Sequence, residues 1–199
     1  MNELNFYSSY FNECIDVVDS ISYEQISLII GFISIIKTCN KRLFILGVGG
    51  SAANATHAVN DFRKLCNIEA YSPSDNVSEL TARINDDGWE SSYVNWLKVS
   101  KLGPNDGILI LSVGGGNKEN NVSTNLVQAI DYARSVRAFV MGIVGRDGGY
   151  TIKQANACVL ISIGEKHKEF TTPITEAFQS IIWHLIVSHP DLKENPTKW

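Results

Sequence analysis

From Leu4 to Cys39, apolar side chains recur at helical spacing. Phe6, Tyr10, Ile15 and Val18 mark a first stripe, between Leu4 and about Asp19. Ile26, Ile29, Ile30, Ile33 and Ile36 mark a second, between Tyr23 and about Cys39. So much isoleucine would also suit a strand, but the length of the segment decides for a helix. Asp19-Ser20-Ile21-Ser22 breaks the pattern, and Ser22 with Gln25 has the spacing of a capping box. The pattern predicts an N-terminal helical hairpin within residues 1–40.

From Arg42 short apolar runs alternate with longer amphipathic segments. Strands are predicted at Leu43–Leu46, Ile68–Tyr71, Gly107–Ser112, Ala138–Val144 and Ala157–Ile161. Helices are predicted at Ala52–Leu65, Val77–Ile84, Ser91–Ser100, Ser123–Val136, Tyr150–Ala155 and Thr172–Ser188. Runs such as Ile108-Leu109-Ile110-Leu111 have no polar face, so both faces must be covered, as in parallel sheets. Right-handed crossovers then stack helices on both sides. The expectation is a three-layer α/β domain over residues 41–190 with a five-stranded parallel sheet. Residues 191–199, with Pro190 before them and Pro196 inside, are expected to form a surface tail.

In open sheets of this kind ligands bind beyond the carboxyl ends of the strands. Three glycine loops fall there: Gly47–Ser51, Ser112–Gly116 and Gly145–Gly149. The first ends a buried strand and opens a helix, so its N–H groups and the helix dipole favour an anion, most often phosphate. Ser51 could add a hydroxyl donor. Gly47-x-Gly49-x-x-Ala52 also fits a relaxed dinucleotide fingerprint, with Glu69 available as a ribose acid. The serine-bearing turn and the lack of an obvious second domain favour a terminal phosphate instead. Ser112 and Ser123-Thr124 make a second candidate grip, although Ser123 alone reads as a plain N-cap.

Composition narrows the function classes. The chain has 199 residues, 44% of them hydrophobic and 19% charged, enough for one well-cored domain. A net charge of −4 and the absence of long basic clusters argue against a general nucleic-acid binder. The start is polar and acidic, with Glu3, Glu13 and Asp16, unlike a signal peptide. Ile26–Ile36 is too short to span a membrane. Cys14, Cys39, Cys66 and Cys158 lack metal or redox spacing and are expected to be free thiols in a reducing cytoplasm.

Two pairs of side chains could carry chemistry. His57 and Asp61 are four apart and share a helix face. Both suit zinc and both can move protons, although such a pair is commonly a surface pair. Glu176 and His184 are eight apart, about 80° of helical rotation, so they lie on neighbouring sides. Co-ligation by them is allowed but not forced, and His184 beside Trp183 could simply be packed.

The set of motifs resembles the phosphoheptose isomerase branch of the sugar isomerase (SIS) domain family, from about Leu43 to His184. The carrying motifs are Gly47-Val48-Gly49-Gly50-Ser51, Ala55-Thr56-His57-Ala58-Val59-Asn60-Asp61 and Asn85-Asp86-Asp87-Gly88-Trp89. Ser112 with its glycine loop, Asp147-Gly148-Gly149 and the helix of Glu176 and His184 complete them. The resemblance implies isomerisation of sedoheptulose 7-phosphate to the aldoheptose phosphate, for surface polysaccharide. It also implies a homotetramer with sites between subunits, and zinc in some members. It puts the catalytic carboxylate on Asp61 and the catalytic histidine on His184, with His57, Asp61, Glu176 and His184 as metal ligands. Candidate substrate and phosphate contacts are Gly49, Gly50, Ser51, Asn85, Asp86, Ser112, Gly114, Ser123 and Thr124.

The chain departs from that family at three places. Asp61 stands where Glu is usual, and Glu176 where Gln is usual. Ser112-Val113-Gly114-Gly115-Gly116 replaces a Ser-Thr-Ser-Gly loop, which removes two hydroxyls and adds residues before Ser123. The expected activity is aldose–ketose isomerisation of a sugar phosphate with a divalent ion. The alternatives are a non-catalytic SIS protein that binds a phosphosugar or a partner such as a replication initiator, and a nucleotide-binding Rossmann protein.

Overall fold

The computed structural model describes residues 3–197. The elements run α1 (Glu3–Ser20), α2 (Tyr23–Thr38), β1 (Arg42–Gly47), α3 (Gly50–Cys66), β2 (Glu69–Tyr71), α4 (Val77–Asp87) and α5 (Ser92–Val99). They continue as β3 (Gly107–Ser112), α6 (Thr124–Ser135), β4 (Phe139–Gly145), α7 (Gly149–Gln154), β5 (Ala157–Ile161) and α8 (Thr171–Ser188). All strands are parallel, in the order β2-β1-β3-β4-β5. The chain leaves β1 in one direction toward β2 and returns on its other side at β3, so the switch point lies between β1 and β3.

Alternate side chains of each strand feed two cores, as the period of a strand requires. Leu43, Ile45, Leu109, Leu111, Met141 and Ile143 pack with α2, α3 and α8. Phe44, Leu46, Ile108, Ile110 and Val140 pack with α5 and α6. This double burial explains the unbroken apolar runs of the sequence. Ser22 caps α2 by accepting from the Gln25 N–H at 3.2 Å. The Gln25 side chain does not close the box; it accepts from the Cys158 N–H at 3.0 Å and ties α2 to β5. Among the described residues no single helix is long and apolar enough to cross a membrane.

Two local expectations need correction. The segment after Pro190 is docked against the domain: Leu192 is fully buried. Lys37 Nζ donates to the Leu192 carbonyl at 2.7 Å and pairs with Glu194 at 2.9 Å. The N–H groups of Glu194 and Asn195 donate to the Leu65 carbonyl and so satisfy the C-terminal end of α3. Lys198 and Trp199 lie outside the described residues. Glu13, taken as part of a polar, acidic N-terminus, is buried and accepts from the Gly164 N–H at 2.5 Å. It joins α1 to a 3-10 turn at Glu165–Phe170 that periodicity did not reveal.

Candidate active site

His57 and Asp61 lie one turn apart on α3, and His184 faces them from α8. Nε2 of His184 is 3.7 Å from Oδ2 of Asp61, and the rings of His57 and His184 meet edge to face at 5.3 Å. His57 also stands edge-on to the buried Trp183 ring at 4.7 Å, which limits its freedom. The other side of His184 fixes its tautomer. Its Nδ1 is 2.8 Å from the Ser180 carbonyl, which can only accept, so Nδ1 carries the hydrogen. In a neutral ring the Nε2 lone pair then faces a carboxylate oxygen. A proton donor or a cation can be received between these two acceptors.

The donor set fits a cation. His57, Asp61 and His184 each offer one ligand atom, and these atoms lie within 4.8 Å of one another. Two imidazole nitrogens and one carboxylate suit zinc and leave a fourth position for water or substrate. The Ser180 carbonyl supplies the outer hydrogen bond that metal-binding histidines commonly make. Asn60 holds the other Asp61 oxygen at 2.8 Å.

Glu176 is not grouped with these three. Its carboxylate lies over the first turn of α3: a Cβ built on Gly50 would fall 2.4 Å from Glu176 Oε2. Two turns of α8 further on, His184 has rotated onto the neighbouring side, as the eight-residue spacing implies. Asn54 Nδ2 locks the two helices by donating to the Glu176 carbonyl at 2.8 Å and to Gln179 Oε1 at 3.1 Å. The positive end of α3 therefore faces a carboxylate supplied by the chain itself. Gly49 is the N-cap of α3 with φ +64°, and the Ser51 hydroxyl is buried with no partner among the described residues.

The second and third glycine loops interlock. A Cβ on Gly115 would fall 2.0 Å from the Gly148 carbonyl, and one on Gly149 would fall 2.2 Å from the Gly114 carbonyl. Thr151 reinforces the contact, its N–H and hydroxyl both donating to the Gly115 carbonyl at 2.9 and 2.7 Å. Ser112 Oγ accepts from the Gly115 N–H at 3.0 Å. Residues 117–122 close into a small antiparallel bridge between Asn117 and Val122. Ser123 then enters α6 in the left-handed region, and its hydroxyl does not cap the helix, contrary to the plain N-cap reading. Asn125, one residue further in than Thr124, is fully buried with both amide atoms unpartnered. A cleft of about 630 Å³ opens beside these loops, lined among others by Gly114, Asn117, Arg146 and Lys168. Sequence reading marked its glycine loops but not Arg146 or Lys168; the signal was an arginine inside a glycine loop at a strand's carboxyl end.

Asn85 and Asp86 are exposed on α4, which has no buried residue. Asn85 donates to Asp86 at 2.8 Å. Glu69, the ribose acid of the dinucleotide alternative, is exposed and bonded by the Tyr71 hydroxyl at 2.9 Å.

The doubly wound five-stranded parallel sheet is a SIS-type sugar isomerase fold by its likeness to solved structures. Known proteins bear on the branch. The chain is 28% identical over 187 residues to a phosphoheptose isomerase of Syntrophotalea carbinolica, covering 89% of this chain and 88% of that protein. It is 30% identical over 154 residues to the lincomycin biosynthesis protein LmbN of Streptomyces lincolnensis, covering 72% of this chain but only 54% of that one. No family model matches the sequence. In fold it is similar to the phosphoheptose isomerase GmhA of Neisseria gonorrhoeae, with a TM-score of 0.78 at 19% identity, covering 94% and 98% of the two chains. A phosphoheptose isomerase from Francisella tularensis gives 0.76 at 18% identity, covering 94% and 97%. The likeness to the phosphoheptose isomerase branch of the SIS family is thus carried by sequence and by fold.

Proposed function

We propose that this chain is an aldose–ketose isomerase of a sugar phosphate, acting on sedoheptulose 7-phosphate to give D-glycero-D-manno-heptose 7-phosphate for heptose-containing surface polysaccharide. The observation that carries the reading is the facing pair of Asp61 and His184, with Nδ1 of His184 tied to a carbonyl and Nε2 free. The isomerisation moves one proton between adjacent carbons and another between their oxygens. Asp61 is the base that takes the carbon-bound proton and returns it to the neighbouring carbon of a cis-enediol. Nε2 of His184 carries the proton between the two oxygens. When a divalent ion is held by His57, Asp61 and Nε2 of His184, it would polarise the carbonyl and steady the enediolate in place of proton transfer by Nε2, which as a ligand carries no proton. The phosphate fixes the open chain against these groups, so its binding energy orients the reacting carbons.

Among the candidate phosphate contacts, those around Ser112, Gly114, Ser123 and Thr124 are favoured over Gly49, Gly50 and Ser51, because Glu176 would repel an anion at the start of α3. Assembly into a homo-oligomer, a tetramer by the resemblance, accords with the apolar outer face of α1. The reaction is tested by incubation with sedoheptulose 7-phosphate in deuterated water. Deuterium appearing on carbon in recovered sugar supports proton transfer through an enediol. Sugar recovered without deuterium and without a new isomer would reject it.

A further inference from the structure

The loop after Ser112 presents no polar side chain of its own: Val113 is followed by Gly114, Gly115 and Gly116. The space is not left bare. A Cβ built on Gly114 would lie 3.8 Å from Cδ of Arg146 and 3.9 Å from its Nη1. The arginine thus runs beside the position that a side chain at residue 114 would occupy. Arg146 directly follows β4 and has φ +52°, a conformation that non-glycine residues adopt at a cost.

The neighbouring charges are already committed. Asp147 turns its Oδ1 to the Gly149 N–H at 3.1 Å. Lys168 pairs with Glu165 at 2.5 Å, and Lys118 with Asp131 at 3.2 Å. Arg146 is exposed and enters none of the ion pairs formed among the described residues, yet it lines the cleft of about 630 Å³. That is the size of a small-molecule site. Val122, which also lines the cleft, leads into the start of α6, where Ser123 makes no side-chain cap and the Asn125 amide is buried without a partner.

We infer that Arg146 is the cationic anchor of the substrate's phosphate, doing with a guanidinium what the hydroxyl-free loop after Ser112 cannot. The inference rests on the sugar-phosphate reading above and deepens it. A guanidinium offers two parallel N–H donors to a phosphate monoester, a stronger grip than single hydroxyls. Gly114 lets the arginine lie against the loop, within van der Waals distance of where a Cβ at residue 114 would stand. Arg146 would therefore select for a phosphate terminus on the substrate.

The test compares wild type with Arg146→Ala, Arg146→Lys and Arg146→Ala combined with Val113→Thr and Gly114→Ser. Circular dichroism serves as the folding control. For sedoheptulose 7-phosphate, Arg146→Ala should raise KM about tenfold or more, with a smaller fall in kcat. Inorganic phosphate should become a weaker inhibitor by a similar factor. Arg146→Lys should fall between, because it keeps the charge and loses the fork. The triple variant should recover part of the loss. An Arg146→Ala enzyme with wild-type KM and wild-type phosphate inhibition overturns the assignment. Calorimetric titration with inorganic phosphate separates this from the isomerase reading. If wild type binds phosphate without turning over the sugar, loss of that binding in Arg146→Ala still supports the anchor. Equal binding by both proteins, or no binding by either, rejects it.

Discussion

His184 presents Nε2 to Oδ2 of Asp61 across 3.7 Å, while its Nδ1 is held by the Ser180 carbonyl one turn back on α8. The two side chains come from helices whose relative position is fixed by Asn54, which donates from α3 to both Glu176 and Gln179 of α8. A carboxylate and an imidazole in this relation can exchange a proton or share a cation. Asp61→Asn and His184→Ala should each lower kcat by about 10²-fold or more, the range for removing a positioned acid or base. Steady-state kinetics with unchanged circular dichroism would check this, and a change of less than tenfold would remove the pair from the chemistry.

The metal expectation divides at His57 and Glu176. His57 belongs to the cluster of three ligand atoms, whereas the Glu176 carboxylate rests on Gly50. His57→Ala should therefore lose the bound ion, and Glu176→Gln should keep it. Elemental analysis of protein purified without chelator gives the ratio of ion to chain for each. Loss of the ion in Glu176→Gln with retention in His57→Ala would reverse the ligand assignment.

Gly115 and Gly148 are in backbone contact where the two glycine loops beside the cleft meet. Gly115→Ala would drive a methyl group into the Gly148 carbonyl and also force a side chain onto φ +67°. A destabilisation of roughly 1–3 kcal/mol is expected from the strained conformation alone. Chemical denaturation would measure it. Wild-type stability in Gly115→Ala would mean that the two loops do not interlock in this way.

Stability should also fall in alkali. Burial is the largest cause of the raised Cys66 thiol, at about 11, and of the raised Cys158 thiol and Tyr93 hydroxyl, each at about 12. In the unfolded chain these groups lose their protons at lower pH, near 9 for a thiol and 10 for a phenol. Their contribution is therefore intact below about pH 9 and is lost as pH rises toward 11 to 12. Melting temperatures measured from neutral to alkaline pH should begin to drop above about pH 9. A flat profile to about pH 11 would contradict the burial of these groups.

The outer face of α1 carries Leu4, Tyr7, Phe11, Ile15 and Val18 at helical spacing, all exposed in the single chain. We expect this stripe to be an interaction surface, with a second copy of the chain, implied by the isomerase resemblance, as its occupant. Light scattering should report an oligomer for wild type and a smaller species for Phe11→Glu. A monomeric wild type would leave the stripe unexplained.

Much of the architecture was legible because the sheet is buried on both faces. Each strand is an unbroken apolar run, so β1, β3, β4 and β5 stand out without any alternation to read. His57 and Asp61 were legible as a pair because four residues on a helix fix a shared face. Glu176 was not, since spacing along α8 gives an angle relative to His184 but not the neighbour each side chain meets. The docked tail was missed because Leu192 is a single apolar residue with no period, and its hold comes from Lys37, Leu65 and Glu194, which are far apart in sequence. Arg146 was not legible as a cleft residue because its place beside Gly114 is a relation between two loops.

The central claim is that this chain interconverts a ketose phosphate and an aldose phosphate. The most direct measurement is carbon NMR of sedoheptulose 7-phosphate labelled at C1, incubated with pure protein with and without added zinc. The labelled hydroxymethyl signal should give way to the anomeric signals of an aldoheptose phosphate, and Asp61→Asn should abolish the change. An unaltered spectrum with wild-type protein, in the presence and absence of zinc, would contradict the claim.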